Sequence, residues 1–335
     1  MQMTRANVSV TIAFCLVFVG GVFIGHDAWR TPAETPGTPG DQNVSENGTL
    51  YKFIDPLLFC QDQNITNEEA NGIENQVSTY INQEKANNDL IDAAFYFKDL
   101  NGGPWALVNP DYQSAPASLL KVPVAMSVYQ RAEENPGFLK TTTTLPKDIE
   151  AMNADKTEYF PVPEQMEPNT TYTVEDLVRL MLEDSDNSAL YVLGNMFTLQ
   201  ELQSAYTHLG IDAPVAGESG YTMSVKTYAS FFLVLYNATF LTQDDSEHLL
   251  SLLSQSTFTQ GIIAGLPSGI TVAHKFGEST SATDGTLQLN DCGIVYKPNH
   301  PYLICVMTKG TSYDRLASDI SHISEMVYNA VNSSD

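Results

Sequence analysis

Residues 114–126 read Ser114-Ala-Pro-Ala-Ser118-Leu-Leu-Lys121-Val-Pro-Val-Ala-Met126. A serine and a lysine stand three residues apart at the start of an apolar run. In a helix, positions i and i+3 share one face, one turn apart. The Lys121 amine is then within reach of the Ser118 hydroxyl. A serine hydroxyl at its ordinary pKa is a poor nucleophile and needs a neighbouring base. A lysine fills that role only when burial or a nearby charge lowers its pKa. Leu119, Leu120, Val122 and Val124 offer apolar surroundings for that. A serine at a helix N-terminus also gains from unpaired backbone N–H groups and the positive dipole end. Taken alone, Ser-x-x-Lys is better read as a surface serine and a surface lysine on an ordinary helix. The rest of the chain changes that balance.

The 335 residues suffice for one large domain or two small ones, and 43% apolar content supports a sizeable core. Lys and Arg number 16 against 40 Asp and Glu, a formal net charge of −24. Nucleic acid and anionic lipid surfaces, which demand basic patches, are excluded as partners on that ground. Val8–Ile24 is a run of 17 residues without a charge, preceded by Arg5 and followed by His26, Asp27 and Arg30. That is at the short end for a spanning helix, and a cleaved signal peptide is the rival reading. No small-x-small cleavage site follows cleanly, so an uncleaved anchor within residues 1–30 is expected. Arg5 marks the inner side, which puts the bulk of the chain outside the cytoplasm. Residues 31–50, rich in Pro, Gly, Thr and Asn, read as a flexible spacer. The catalytic part is expected over 51–335.

Besides Cys15 in the apolar run, three cysteines remain, an odd count that is not a disulfide framework. Cys292 and Cys305 fall on adjacent strands. A turn centred near Asn299 would put them on opposite faces, so the expectation is that they do not bond; Cys60 with Cys292 is possible but unsupported. The six histidines are scattered and no metal-ligand spacing occurs, so no metal or other cofactor is expected.

Asn67–Asn88, with Ile73, Val77 and Ile81 at helical intervals, predicts a helix. Asp92–Lys98 and Trp105–Val108 flank Asn101-Gly-Gly-Pro104, a hairpin signal. The Ser118 helix follows. Thr141–Thr171, with four prolines, reads as a long irregular segment, in which Tyr159 and Phe160 are equally an aromatic lip over a cleft or simple loop packing. Thr173 starts a helix, and further helices fit Asn187–Met196, Leu199–Leu209, Ser224–Leu241 and Ser246–Ser254. Strands fit Gly269–Gly277, Leu287–Tyr296 and Tyr302–Met307, and a closing helix fits Ser318–Val331. Strands at both ends with helices between predict an α+β fold, its antiparallel sheet built from both ends and packed against a helical subdomain, with a cleft at the junction.

Two further motifs then matter. Ser185-Asp186-Asn187 comes 67 residues after Ser118, at a turn between helices, and Lys275-Phe276-Gly277 comes 90 residues later, on a strand. Ser-x-x-Lys, Ser-Asp-Asn and Lys-[Thr/Ser]-Gly in that order are the signature of class A β-lactamases and penicillin-binding proteins. Over most of 51–335 the sequence resembles that superfamily, and within it the class A β-lactamase-like serine hydrolases. The resemblance implies that Ser118 attacks a carbonyl to form an acyl-enzyme, Lys121 takes or relays its proton, and Ser185 protonates the leaving nitrogen. It implies that Asn187 binds the substrate's side-chain amide, that Lys275 attracts a substrate carboxylate, and that Asp186 fixes its own turn. Gly277 would permit close backbone approach. The N–H groups of Ser118 and Glu278 would form an oxyanion hole, worth roughly 3–4 kcal/mol per donor in acyl-transfer enzymes.

There are two departures. Phe276 stands where a hydroxyl residue is usual, and a phenyl ring cannot hydrogen-bond a carboxylate. The region after Ser-Asp-Asn, Leu209–Ser224, has no Glu-x-x-Leu-Asn for activating a deacylating water. Glu218 is placed by count, but an ordinary solvated loop glutamate is its better reading. The expected function is a monomeric, membrane-anchored serine hydrolase opening a β-lactam amide. The alternatives are a D-Ala-D-Ala peptidase or penicillin-binding protein with slow deacylation, acting on peptidoglycan peptides, and a non-catalytic wall-binding ectodomain.

Overall fold

The computed structural model describes residues 51–56, 67–87, 90–145, 158–215 and 220–332. The apolar run, the spacer, Cys60 and Glu218 lie outside these. Among the described residues no helix is long and apolar enough to cross a membrane.

The elements run, in order, α1 (Asn67–Ala86), β1 (Leu90–Asp99), β2 (Trp105–Val108), a 3-10 turn (Ala117–Leu120) and α2 (Lys121–Glu134). Then come β3 (Thr142–Thr144), β4 (Thr171–Thr173), α3 (Val174–Glu183), α4 (Asn187–Met196), α5 (Leu199–Leu202) and α6 (Ser204–Leu209). The chain continues through α7 (Val225–Tyr236), α8 (Gln243–Leu253), β5 (Thr271–Thr280), β6 (Leu287–Tyr296), β7 (Tyr302–Gly310) and α9 (Tyr313–Asn332).

Five strands form one antiparallel sheet in the order β2-β1-β7-β6-β5. The N-terminal hairpin thus joins the C-terminal strands through β1 and β7, as the expected α+β architecture requires. Both faces of the sheet are covered, which is why β7 reads as an unbroken apolar run rather than an alternation. Leu303, Cys305 and Met307 enter the core shared with the helical part, where Met126, Leu180 and Phe231 are fully buried. Ile304 and Val306 point the other way, onto Ile73, Val77 and Ile81 of α1 and Ile320, Ile323 and Val327 of α9. The helical period of those residues is the stripe that the sheet covers. Thr173 caps α3 as expected: its hydroxyl accepts from Asp176 N–H at 3.1 Å while Asp176 accepts from Thr173 N–H at 2.9 Å.

Several expectations change in detail. The predicted Leu199–Leu209 helix breaks at Gln203 into α5 and α6. The irregular segment closes on itself through the short β3–β4 pair. The expectation for Cys292 and Cys305 is wrong. They are directly paired in the β6–β7 register, Cα atoms 4.0 Å apart, and form a disulfide. The turn centres between Pro298 and Asn299, because Val295 pairs with Tyr302. A half-residue shift of the centre changes every pairing by one, and a one-residue slip moves a side chain to the other face.

Candidate active site

The segment before Ser118 is fastened to the sheet. Ser114 exchanges backbone hydrogen bonds with Met223. Gln288 Oε1 accepts from Ala115 N–H at 2.9 Å, and Asn290 Nδ2 donates to the Ala115 carbonyl at 2.9 Å. Ser118 then lies in the 3-10 turn, one step ahead of the α-helix that holds Lys121, rather than within it. Ala117 before it has a left-handed backbone, φ 50°, a conformation that non-glycine residues rarely adopt. Tyr228 donates its hydroxyl to the Leu119 carbonyl at 2.9 Å, fixing the turn from below.

β5 meets this turn at Gly277. A Cβ there would come within 2.6 Å of the Pro116 carbonyl oxygen and 3.0 Å of Ser118 N. Glycine is required, because any side chain would drive the strand from the nucleophile candidate. The amide of Glu278 follows immediately.

Lys121 is fully buried. Its Nζ donates to the Ser185 carbonyl, to Ser185 Oγ at 3.0 Å and to Asn187 Oδ1 at 2.9 Å. Ser185 sits in the α3–α4 turn with φ 63°, which aims both its oxygens at the lysine. The next residue holds the turn, as expected for Asp186: one carboxylate oxygen caps α4 by accepting from Ala189 N–H at 2.8 Å, the other accepts from Met166 N–H at 2.6 Å. Lys275, also fully buried, reaches the same hydroxyl from β5, Nζ to Ser185 Oγ 2.9 Å, and donates to the Phe276 carbonyl at 3.2 Å. Burial, then the charge of Lys121, push the Lys275 amine well below the usual lysine range. Two lysine amines thus converge on one serine hydroxyl. Its two lone pairs are taken, and its proton is left to point elsewhere.

Phe276 lays the face of its ring against the Lys275 amine, Nζ 4.4 Å from the ring centroid. It stacks on Phe258 with centroids 4.0 Å apart and meets Phe160 edge-on. Phe160 is buried, so its part of the aromatic pair is packing, whereas Tyr159 is 51% exposed and available at a rim. Sequence reasoning passed over Glu158. Its carboxylate accepts a hydrogen bond from Asn187 Nδ2, and it helps line an opening with Phe160, Val162, Gln165 and Asn187. The only signal was its place beside the aromatic pair in an irregular segment. Glu278, whose backbone was singled out, also contributes its side chain, accepting from Tyr159 N–H at 2.7 Å.

The three distant motifs therefore meet where β5 faces the helices, Lys121 and Lys275 both on Ser185 and Gly277 against the Ser118 turn, an arrangement that defines a class of active-site serine enzyme. The sequence profile of the Beta-lactamase enzyme family matches residues 73–331, and the chain belongs to that family as a class A-like serine hydrolase. Beta-lactamase VEB-1 of Pseudomonas aeruginosa is 23% identical over 267 residues, covering 73% of this chain and 87% of that protein. A PBP-A mutant solved as an acyl-enzyme complex with penicillin G is similar in fold, with TM-score 0.65 and 23% identity over 80% of this chain and 98% of that one. A β-lactamase from Sphaerobacter thermophilus gives TM-score 0.64 and 20% identity over 77% of this chain and 97% of that one.

Proposed function

We propose that Ser118 is the nucleophile of an enzyme that opens β-lactam amides through an acyl-enzyme. The observation that carries this reading is the convergence of Lys121 and Lys275 on Ser185 Oγ beside the Ser118 turn. Ser118 Oγ bonds to the lactam carbonyl carbon, its proton passing to Lys121 in its neutral amine form, in which one of the three donated contacts is given up and the freed lone pair accepts. Backbone N–H groups of Ser118 and Glu278 take the negative charge on the carbonyl oxygen. The ring C–N bond breaks, and Ser185 gives its proton to the nitrogen, resupplied by the lysine that holds its oxygen. Water then cleaves the ester. Asn187 supports Lys121 with its amide oxygen and offers its nitrogen to the substrate once Glu158 yields it.

A second reading, a D-Ala-D-Ala peptidase or penicillin-binding protein that deacylates slowly, is favoured by the missing Glu-x-x-Leu-Asn and by the engagement of Glu158 with Asn187. Intact mass after exposure to labelled penicillin tests both. A transient adduct with product accumulation supports hydrolysis, a lasting adduct supports the second reading, and wild type unlabelled like Ser118→Ala would sink both.

We also read residues 8–24 as the membrane anchor, with the enzyme outside the cytoplasm. The uncharged run supports this, and the Cys292–Cys305 disulfide suits an oxidising compartment. Recovery of full-length protein in a soluble fraction, without detergent, would count against it.

A further inference from the structure

We propose that Glu158 and Glu278 make the subsite beside Lys275 reject a carboxylate, so that the preferred acyl donors carry a neutral or cationic group there. The inference rests on the acyl-enzyme reading above and names its substrate class. A carboxylate docking at the end of a buried lysine needs donors. Here Lys275 already donates to Ser185 Oγ and the Phe276 carbonyl. The neighbouring side chain that would add a hydroxyl is a phenyl ring packed into the aromatic core.

What the subsite holds instead is two carboxyl side chains. Glu278 follows Gly277 on β5, and its Oε1 accepts the backbone N–H of Tyr159. Its Oε2 is buried and has no hydrogen-bond partner among the described residues. Glu158, one residue before Tyr159, crosses to the opposite wall and takes the Asn187 amide. Residues 158–159 thus strap the β5 wall to the Asn187 wall. Both carboxylates lie within electrostatic range of the Lys275 amine and of each other. An incoming anion would meet two acidic side chains and a lysine whose own charge burial and Lys121 already disfavour, while burial also raises the Glu278 carboxyl. A neutral ester or an ammonium meets no such repulsion. A protein of net charge −24 adds a long-range bias of the same sign.

The test compares acylation of the full chain by benzylpenicillin and by its methyl ester, followed by intact mass. Wild type is expected to react at least about tenfold faster with the ester. In Glu158→Gln and Glu278→Gln, the anion-to-ester rate ratio should rise about tenfold. The same ratio should rise in wild type as salt is increased, since screening weakens repulsion without any change to the fold. A wild type that prefers the anion, or a ratio unmoved by either variant and by salt, overturns the inference while leaving the acyl-enzyme reading standing. No adduct from either compound overturns both.

Discussion

A left-handed backbone at Ser185 is tolerable because Asp186 holds the turn from the next position, with two backbone N–H groups bound to its carboxylate. Removing that carboxylate leaves the Met166 N–H unpaired in a buried place and α4 uncapped. Asp186→Ala is expected to cost about 2–4 kcal/mol, measured by denaturant unfolding. It should slow acylation as well, since Ser185 and Asn187 flank it. Lys275 gives a pH signature. Burial and Lys121 depress its pKa in the folded protein, so between that value and the usual lysine value the unfolded chain binds more protons. Stability contributed by this site therefore falls as pH drops through the alkaline range. Lys275→Met removes the penalty. Its gain over wild type should be larger at about pH 8 than at about pH 10, and an equal gain at both would refute the assignment.

Among the elements, β5 and the Ser118 turn are locked at one glycine. Gly277→Ala inserts a methyl group 2.6 Å from the Pro116 carbonyl oxygen. The strand must withdraw, and overpacking of this kind costs about 1–3 kcal/mol. The acylation rate should drop by about 100-fold, because a small misplacement of reacting groups is that costly. The disulfide between β6 and β7 is buried on both sides. Replacing both cysteines by alanine is expected to lower stability by about 3 kcal/mol, the chain-entropy figure for a loop of this length. Unfolding in the presence and absence of reductant checks it.

Most elements were legible because each has one buried stripe or two covered faces. Ile73, Val77 and Ile81 declare α1, and Tyr302–Met307 declares β7. The motif residues were legible because their chemistry restricts them to few residue types. The disulfide was not, since pairing depends on a turn centre that shifts by half a residue. The 3-10 turn at Ser118 was not either, being set by the contact with Gly277 from far along the chain. Glu158 stayed hidden because its role comes from which wall an irregular segment crosses to, and no local pattern encodes that.

At the scale of the whole molecule, a net charge of −24 on one folded chain is a source of self-repulsion. Raising ionic strength from about 0.01 M to about 0.15 M shortens the screening length from about 30 Å to about 8 Å. Tm is expected to rise by a few degrees over that range, and calorimetry would show whether it does.

The pairing of Phe95 with Val306 has a consequence for the order of events during synthesis. When the segments bearing the nucleophile candidate and its turn have left the ribosome, β1 has β2 on one side but still lacks its second neighbour. Until β7 emerges, the hairpin exposes an unfilled edge that invites a wrong strand from another nascent chain. The sheet that carries Lys275 and Gly277 is joined to β1 only when β7 has emerged to lie between β1 and β6.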